Sequence, residues 1–240
     1  MEPLATLRLA IAMRHRPDSA SVSLRHVAKR FLSGRQTVAA LKDVSFDISP
    51  GEVVTLLGSS GSGKSTVLSV VGGLTQADSG EVLVAGRDLR ELATRELEQF
   101  RSECVGFVFQ KANLVPVLTA VENVELGMLR LHVAPRLRSE RAREWLARVG
   151  LADQGPQRAA SLSGGEQQRV AVARALAAEP AIVLADEPTA SLDLSNALRL
   201  LDLLREINTR YKSTFLIATH DPRVNEYATR SIRIEDGYCA

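Results

Sequence analysis

Val53-Val-Thr-Leu-Leu57 followed by Gly58-Ser-Ser-Gly-Ser-Gly-Lys-Ser65 is the stretch that decides the architecture. The first five residues are apolar or β-branched without interruption, as a strand buried on both faces requires. Glycines at 58, 61 and 63 then let the backbone of Gly58, Ser59, Ser60, Gly61, Ser62 and Gly63 turn its amides inward around a polyphosphate. A helix opening at Ser65 adds a favourable field for negative charge. Lys64 is expected to reach the β- and γ-phosphates. Ser65 is expected to offer its hydroxyl to Mg²⁺, and Thr66 to bond the α-phosphate. Strand, glycines, lysine and serine together make a chance glycine-rich turn a poor account of this stretch.

Further strand-length runs occur at Glu81–Val84, Val105–Phe109, Ile182–Ala185 and Thr214–Ala218. Alternating with helical segments, they predict an α/β fold with a mostly parallel sheet. Val22–Ala28 and Ala40–Ile48 have no helix between them and predict an antiparallel β flank. From about Ala112 to Ala175 the strand signals vanish. Thr119 and Glu122 form a capping-box pair before one helix there, and Ala142, Trp145, Leu146 and Val149 make the apolar face of another. The chain therefore divides into an N-terminal tail (1–20), a nucleotide-binding core (21–110 and 176–240) and an inserted helical subdomain (111–175). The tail, with Arg8, Arg14 and Arg16, reads as a frayed appendage rather than a targeting device.

At 240 residues the chain is long enough for one well-buried domain with a subdomain. Its net charge of +2 argues against nucleic acid as the main partner. Cys104 and Cys239 are far apart and lack metal-ligand spacing, which suits reduced thiols in a cytosolic protein. No run approaches the roughly 18 apolar residues needed to span a bilayer, so a membrane connection is expected through another polypeptide. Arg130, Arg136, Arg138, Arg141, Arg143 and Arg148 give the insertion a basic face. It reads first as a solvated surface helped by Glu140 and Glu144, and second as a contact for anionic lipid or an acidic loop.

Ile182-Val-Leu-Ala-Asp-Glu187 is a buried strand ending in two carboxylates, where charge is tolerated only with a partner. Asp186 is expected near the metal shell, and Glu187 is placed to polarise the water attacking a γ-phosphate. His220 follows another apolar strand and would act as a γ-phosphate sensor and transition-state donor. Gln110 lies where a strand meets the helical insertion, so a bond from its side chain to Mg²⁺ or the attacking water would tie nucleotide state to the insertion. Ser163 and Glu166 form a second capping-box pair, so the helix from Gly164 starts with free amides. Because the lysine loop lies on the core, this helix start is available to a γ-phosphate held by a second subunit.

Together these residues resemble the nucleotide-binding subunit of an ATP-binding cassette (ABC) transporter, over about residues 21–237. The resemblance implies a P-loop NTPase core with ATP and Mg²⁺ as cofactors. It makes Gly58–Thr66 the Walker A loop, Gln110 the Q-loop, Ile182–Glu187 the Walker B strand, Asp193 part of the D-loop and His220 the switch. Leu162–Gln167 becomes the signature, so Ser163, Gly164, Gly165 and Gln167 join the ATP-binding set. Phe31 would stack on adenine or else pack in the core. It also implies a homodimer, or pairing with a second ABC ATPase subunit, on a membrane permease at the cytoplasmic face of the inner (plasma) membrane, without nucleic acid.

Gly106-Phe-Val-Phe-Gln110, Asn113-Leu-Val-Pro116, Leu118–Leu126 and Ser79–Leu89 look like the branch of lipoprotein-releasing and macrolide-export ATPases. Ser59, where that branch usually has proline, and Gly127-Met128 depart from its pattern. Residues near 111–130 are expected to form a groove for a permease helix. Export or extraction of a lipoprotein, macrolide or other amphipathic cargo is the implied function. The alternative is an ATPase that works a membrane protein without transport, as in cell-division signalling.

Overall fold

The computed structural model describes residues 21–34 and 36–239, so the tail expected over 1–20 lies outside the described residues. Two long strands, β1 (Val22–Ser33) and β2 (Gln36–Ile48), form an antiparallel hairpin. β3 (Val53–Leu57) runs into the phosphate loop and α1 (Lys64–Val71), followed by β4 (Ser79–Val84), β5 (Arg87–Asp88) and α2 (Thr94–Cys104). β6 (Val105–Val108) leads into the insertion helices α3 (Ala120–Leu126) and α4 (Pro135–Arg148), and then α5 (Gly164–Leu176). The chain closes with β7 (Ile182–Asp186), α6 (Leu194–Tyr211), β8 (Phe215–Thr219), β9 (Arg230–Glu235) and β10 (Tyr238–Cys239).

Among the described residues one sheet runs β5-β4-β1-β2-β10-β9-β3-β8-β7-β6. Its β9-β3-β8-β7-β6 half is parallel throughout. The β5-β4-β1-β2 half is the antiparallel flank, longer than expected because the hairpin continues to Ser33 and resumes at Gln36. Glu81–Val84 belongs to this flank, not to the parallel set: Val22 pairs with Val84 and Arg25 with Glu81 in antiparallel register. Its alternating burial, with Val82 and Val84 inside and Glu81 and Leu83 outside, is that of a strand wet on one face. Helix α2 is not among the expected elements, although its buried Leu97, Phe100 and Cys104 recur at helical spacing.

The parallel strands bury both faces, and their alternation assigns neighbours to different cores. Val54, Leu56, Ile182, Leu184, Leu216 and Ala218 pack with α1, α2 and the flank. Val53, Val183, Ala185, Phe215 and Ile217 pack on the other side with α3 to α6. The insertion thus shares one continuous core with the sheet: Ala120, Val124, Met128, Trp145 and Leu146 belong to the same cluster as Phe215. Of the expected basic face, Arg136 pairs with Glu140 and Arg148 with Glu144 as anticipated, but not every arginine lies on a solvated surface. Arg141 is buried and ion-paired with Glu179, Arg148 lies 4.6 Å from the Trp145 ring centroid, and Arg130 and Arg136 bind Glu98 and Glu140.

Candidate nucleotide site

Parallel register brings the C-terminal ends of four strands to one edge of the sheet. Leu57 sits beside Thr219, Ala218 beside Asp186, and Val108 beside Ala185. The phosphate loop, Glu187, His220 and Gln110 all leave the sheet at that edge, the crevice where open α/β sheets receive ligands.

The loop's shape depends on its glycines. Gly63 caps α1 in the left-handed region at φ 113, and a Cβ there would lie 2.6 Å from the Ala40 carbonyl oxygen. Only glycine allows the helix to start this close to β2. A Cβ on Gly58 would run into the Ile234 carbonyl. Helix α1 begins at Lys64 rather than Ser65, so its first-turn amides open toward the loop. Lys64 is buried, and its Nζ donates to the carbonyls of Gly58 at 2.9 Å and Ser59 at 2.8 Å. Ser62 Oγ is buried without a partner.

Ser65 Oγ donates to Asp186 Oδ1 at 3.1 Å. Burial pushes the Asp186 carboxyl above the usual range, the neighbouring Glu187 adds to the shift, and Ser65 and Lys64 oppose it. Glu187 occupies the left-handed region at φ 48, a strained conformation for a non-glycine residue. Its Oε1 lies 2.7 Å from His220 Nδ1, and its Oε2 accepts from Thr219 Oγ1 at 3.1 Å. Gln110 is exposed at the same edge, while Thr66 is half-buried in α1. The Phe31 ring is 42% exposed, opposite Val38 in β2 and 5.4 Å from Lys29 Nζ, so it is not core packing.

A second group stands apart. Ser163 Oγ donates to Glu166 Oε2 at 2.7 Å and accepts from the Glu166 amide at 3.4 Å, completing the expected capping box. These bonds hold the Glu166 carboxyl below its ordinary range. Gly164 is exposed, and Gly165 is buried where a Cβ would lie 2.6 Å from Asn196 Oδ1. Gln167 Nε2 donates to the carbonyls of Ala159 and Leu162, both at 3.0 Å. Asp193 caps α6, accepting from Asn196 N at 2.9 Å and Asn196 Nδ2 at 2.7 Å. The carboxylate is therefore committed to the helix end. The hydrogen bonds of Ser163, Gln167 and Asp193 stay within this group, away from Lys64.

The sequence reading missed three side chains that organise the linker between β6 and α3. Gln168 and Arg174 bond its backbone from α5, and the fully buried Asn123 bonds Val115, Leu118 and Thr119. A buried amide within a helix that packs on a loop was the available signal.

Residues 41–190 match the family model described as "ABC transporter". The chain is 47% identical over 220 residues to the "Lipoprotein-releasing system ATP-binding protein LolD 2" of Rhodospirillum rubrum, covering 90% of this chain and 94% of that one. It is 44% identical over 216 residues to a "Macrolide export ATP-binding/permease protein MacB" of Burkholderia pseudomallei, covering 90% of this chain and 33% of that protein. It thus spans about a third of the length of its MacB relatives. Among solved structures, the dimeric post-hydrolysis state of the ATP-binding cassette MJ0796 bound to ADP and Pi superposes with a TM-score of 0.83 at 40% identity, covering 91% of this chain and 96% of that one. Phosphate loop, paired carboxylates and capped glycine helix, set on this sheet and matched over most of the chain, place it in the ABC transporter family.

Proposed function

We propose that this chain is an ATP-hydrolysing subunit that dimerises on ATP and drives a membrane permease, with export or extraction of an amphipathic cargo such as a lipoprotein or macrolide. One observation carries the composite site: Lys64, Asp186, Glu187 and His220 converge at one sheet edge, whereas Ser163 and Gln167, which flank Gly164 and Gly165, bond elsewhere. Each chain then supplies half of two sites, with its signature helix start facing ATP held by a partner copy. In this reading 21–110 and 176–240 hold the chain's own nucleotide, while 111–175 carries both the permease contact and the signature helix start that meets the partner's ATP.

The residues fit Mg²⁺. Ser65 and Asp186 present a hydroxyl and a carboxylate within 3.1 Å of each other. Among the described residues no group of three or more His, Cys, Asp or Glu is arranged to hold a metal ion by itself, but Mg²⁺ beside a polyphosphate needs only one or two carboxylates. Bound there, it would neutralise phosphate charge, with Gln110 also within its proposed shell. Lys64 exchanges the Gly58 and Ser59 carbonyls for phosphate oxygens. Phe31 offers an exposed face to adenine. Glu187, released from His220, accepts a proton from the attacking water, and His220 turns to the γ-phosphate.

Among the described residues no helix is long and apolar enough to cross a membrane. A groove of about 620 Å³, lined in part by Leu74, Phe107, Phe109, Leu126 and Leu129, supports docking of a permease helix. It draws on α2 and β6 as well as on residues 111–130. Attachment to the cytoplasmic face of the inner membrane would then come through that helix.

Glu187→Gln tests the composite site. It should lower kcat by about 10² to 10⁴ and trap ATP, doubling the mass seen by light scattering when ATP and Mg²⁺ are added. A monomer at saturating ATP would overturn the reading.

A further inference from the structure

The linker from β6 to α3 is held by side chains reaching its carbonyls. Phe109 O accepts from Gln168 Nε2 at 2.8 Å, and Gln110 O accepts from Ser191 Oγ at 2.8 Å. Ala112 O and Asn113 O accept from the two terminal nitrogens of Arg174, each at 2.8 Å. Gln168 and Arg174 both belong to α5, the helix that starts at the signature, and Ser191 lies just ahead of Asp193.

Gln168 is 1% exposed, so its carboxamide is fully desolvated. An apolar residue of similar size would fill the space as well, and burying an amide is unfavourable unless it is hydrogen-bonded. Its donor therefore serves the Phe109 carbonyl, one residue before Gln110. Burial also pulls the Arg174 guanidinium below its ordinary value. Its hydrogen bonds go to carbonyls, so it too is spent on holding backbone.

We propose that Gln168 is a positioning residue for hydrolysis: by fixing the Phe109 carbonyl to α5, it makes the Gln110 side chain and the Ser163–Gly165 helix start move as one body. Arg174 extends the attachment to Ala112 and Asn113. Ser191 ties Gln110 to the segment that carries Asp193. When the helix start closes on the partner's phosphate, the same displacement sets Gln110 in its own site, so the two active sites of a dimer report on each other. This rests on Gln110 meeting the metal or the attacking water, as in the function above.

The test is steady-state ATPase kinetics of the purified chain, with nucleotide affinity read independently from a fluorescent ATP analogue. Gln168→Leu should lower kcat roughly 10- to 100-fold, the cost of slight misplacement, while nucleotide affinity stays close to wild type. Gln168→Glu can donate to Phe109 O only when protonated. Its kcat relative to wild type should rise as pH falls and drop as pH rises.

Wild-type kcat in Gln168→Leu would overturn the proposal, as would equal losses of kcat, affinity and melting temperature. Should Gln168→Leu not fold, a pH-independent ratio of Gln168→Glu to wild type would overturn it. The dimerisation of Glu187→Gln keeps the two readings distinguishable. A trapped dimer with an unimpaired Gln168→Leu sinks this inference alone, whereas a chain that never dimerises sinks the composite site.

Discussion

Asp186 is held against its own preference. Burial raises its carboxyl, the neighbouring Glu187 raises it further, and only Ser65 and Lys64 favour the charge. A raised folded value means that the folded chain holds the proton more tightly than the unfolded chain. The group's stabilising contribution is therefore largest in acid and is lost as pH rises through the folded value. At neutral pH, without nucleotide, the ionised carboxylate is a liability, as the metal-binding role proposed for it would require. Asp186→Asn should raise the thermal midpoint of the nucleotide-free chain at pH 7 and leave it nearly pH-independent relative to wild type in the carboxylate range. Mg²⁺-dependent ATP hydrolysis should collapse in the same variant. Calorimetry from pH 5 to 8 checks the first outcome and phosphate release the second; a midpoint below wild type at pH 7 would contradict the electrostatic account.

Helices α5 and α6 meet at their N-termini, and their caps are interlocked. Ser163 and Glu166 close one cap, Asp193 and Asn196 the other, and the absent side chain of Gly165 leaves room for Asn196. Ser163→Ala should destabilise the chain by about 0.5–2 kcal/mol, as loss of an N-cap does. The Ser163 bonds hold Glu166 below its ordinary value, so this contribution is fully present above the usual Glu range, near 4.3, and is lost as pH falls through the lower folded value. Urea titrations should show the gap between wild type and Ser163→Ala narrowing in acid; a gap that widens would place the cap's energy elsewhere. Both capping boxes were legible because the pattern is local, with serine or threonine three residues before glutamate. Asn196 was not, since its partner Gly165 is distant in sequence.

At the scale of the whole molecule, one sheet joins two cores, and the groove between α2 and α3 opens beside the second. Leu74 and Leu129 are about half exposed there, at 52% and 51%. Leu129→Asp should lose the co-purified membrane protein in affinity capture from native membranes, checked by mass spectrometry against wild type; equal recovery would remove the groove from the partner interface. The parallel strands and the phosphate loop were readable because burial on both faces leaves an uninterrupted apolar run and the loop's chemistry is local. Glu81–Val84 was assigned to the wrong half of the sheet, because a four-residue run with three apolar residues satisfies either environment. Arg141 read as surface, because helical periodicity cannot reveal an ion partner as remote as Glu179.

By itself the order of residues determined the family, the phosphate-binding loop, the paired carboxylates and the capped glycine helix, since each is a contiguous pattern whose physics acts over a few residues. Only the tertiary structure decided that His220 engages Glu187, that the insertion shares a core with the sheet, and that Gln168 and Arg174 hold the Gln110 segment. Those depend on which distant carbonyl or carboxylate lies within hydrogen-bond reach once the strands are in register, and no local spacing encodes that.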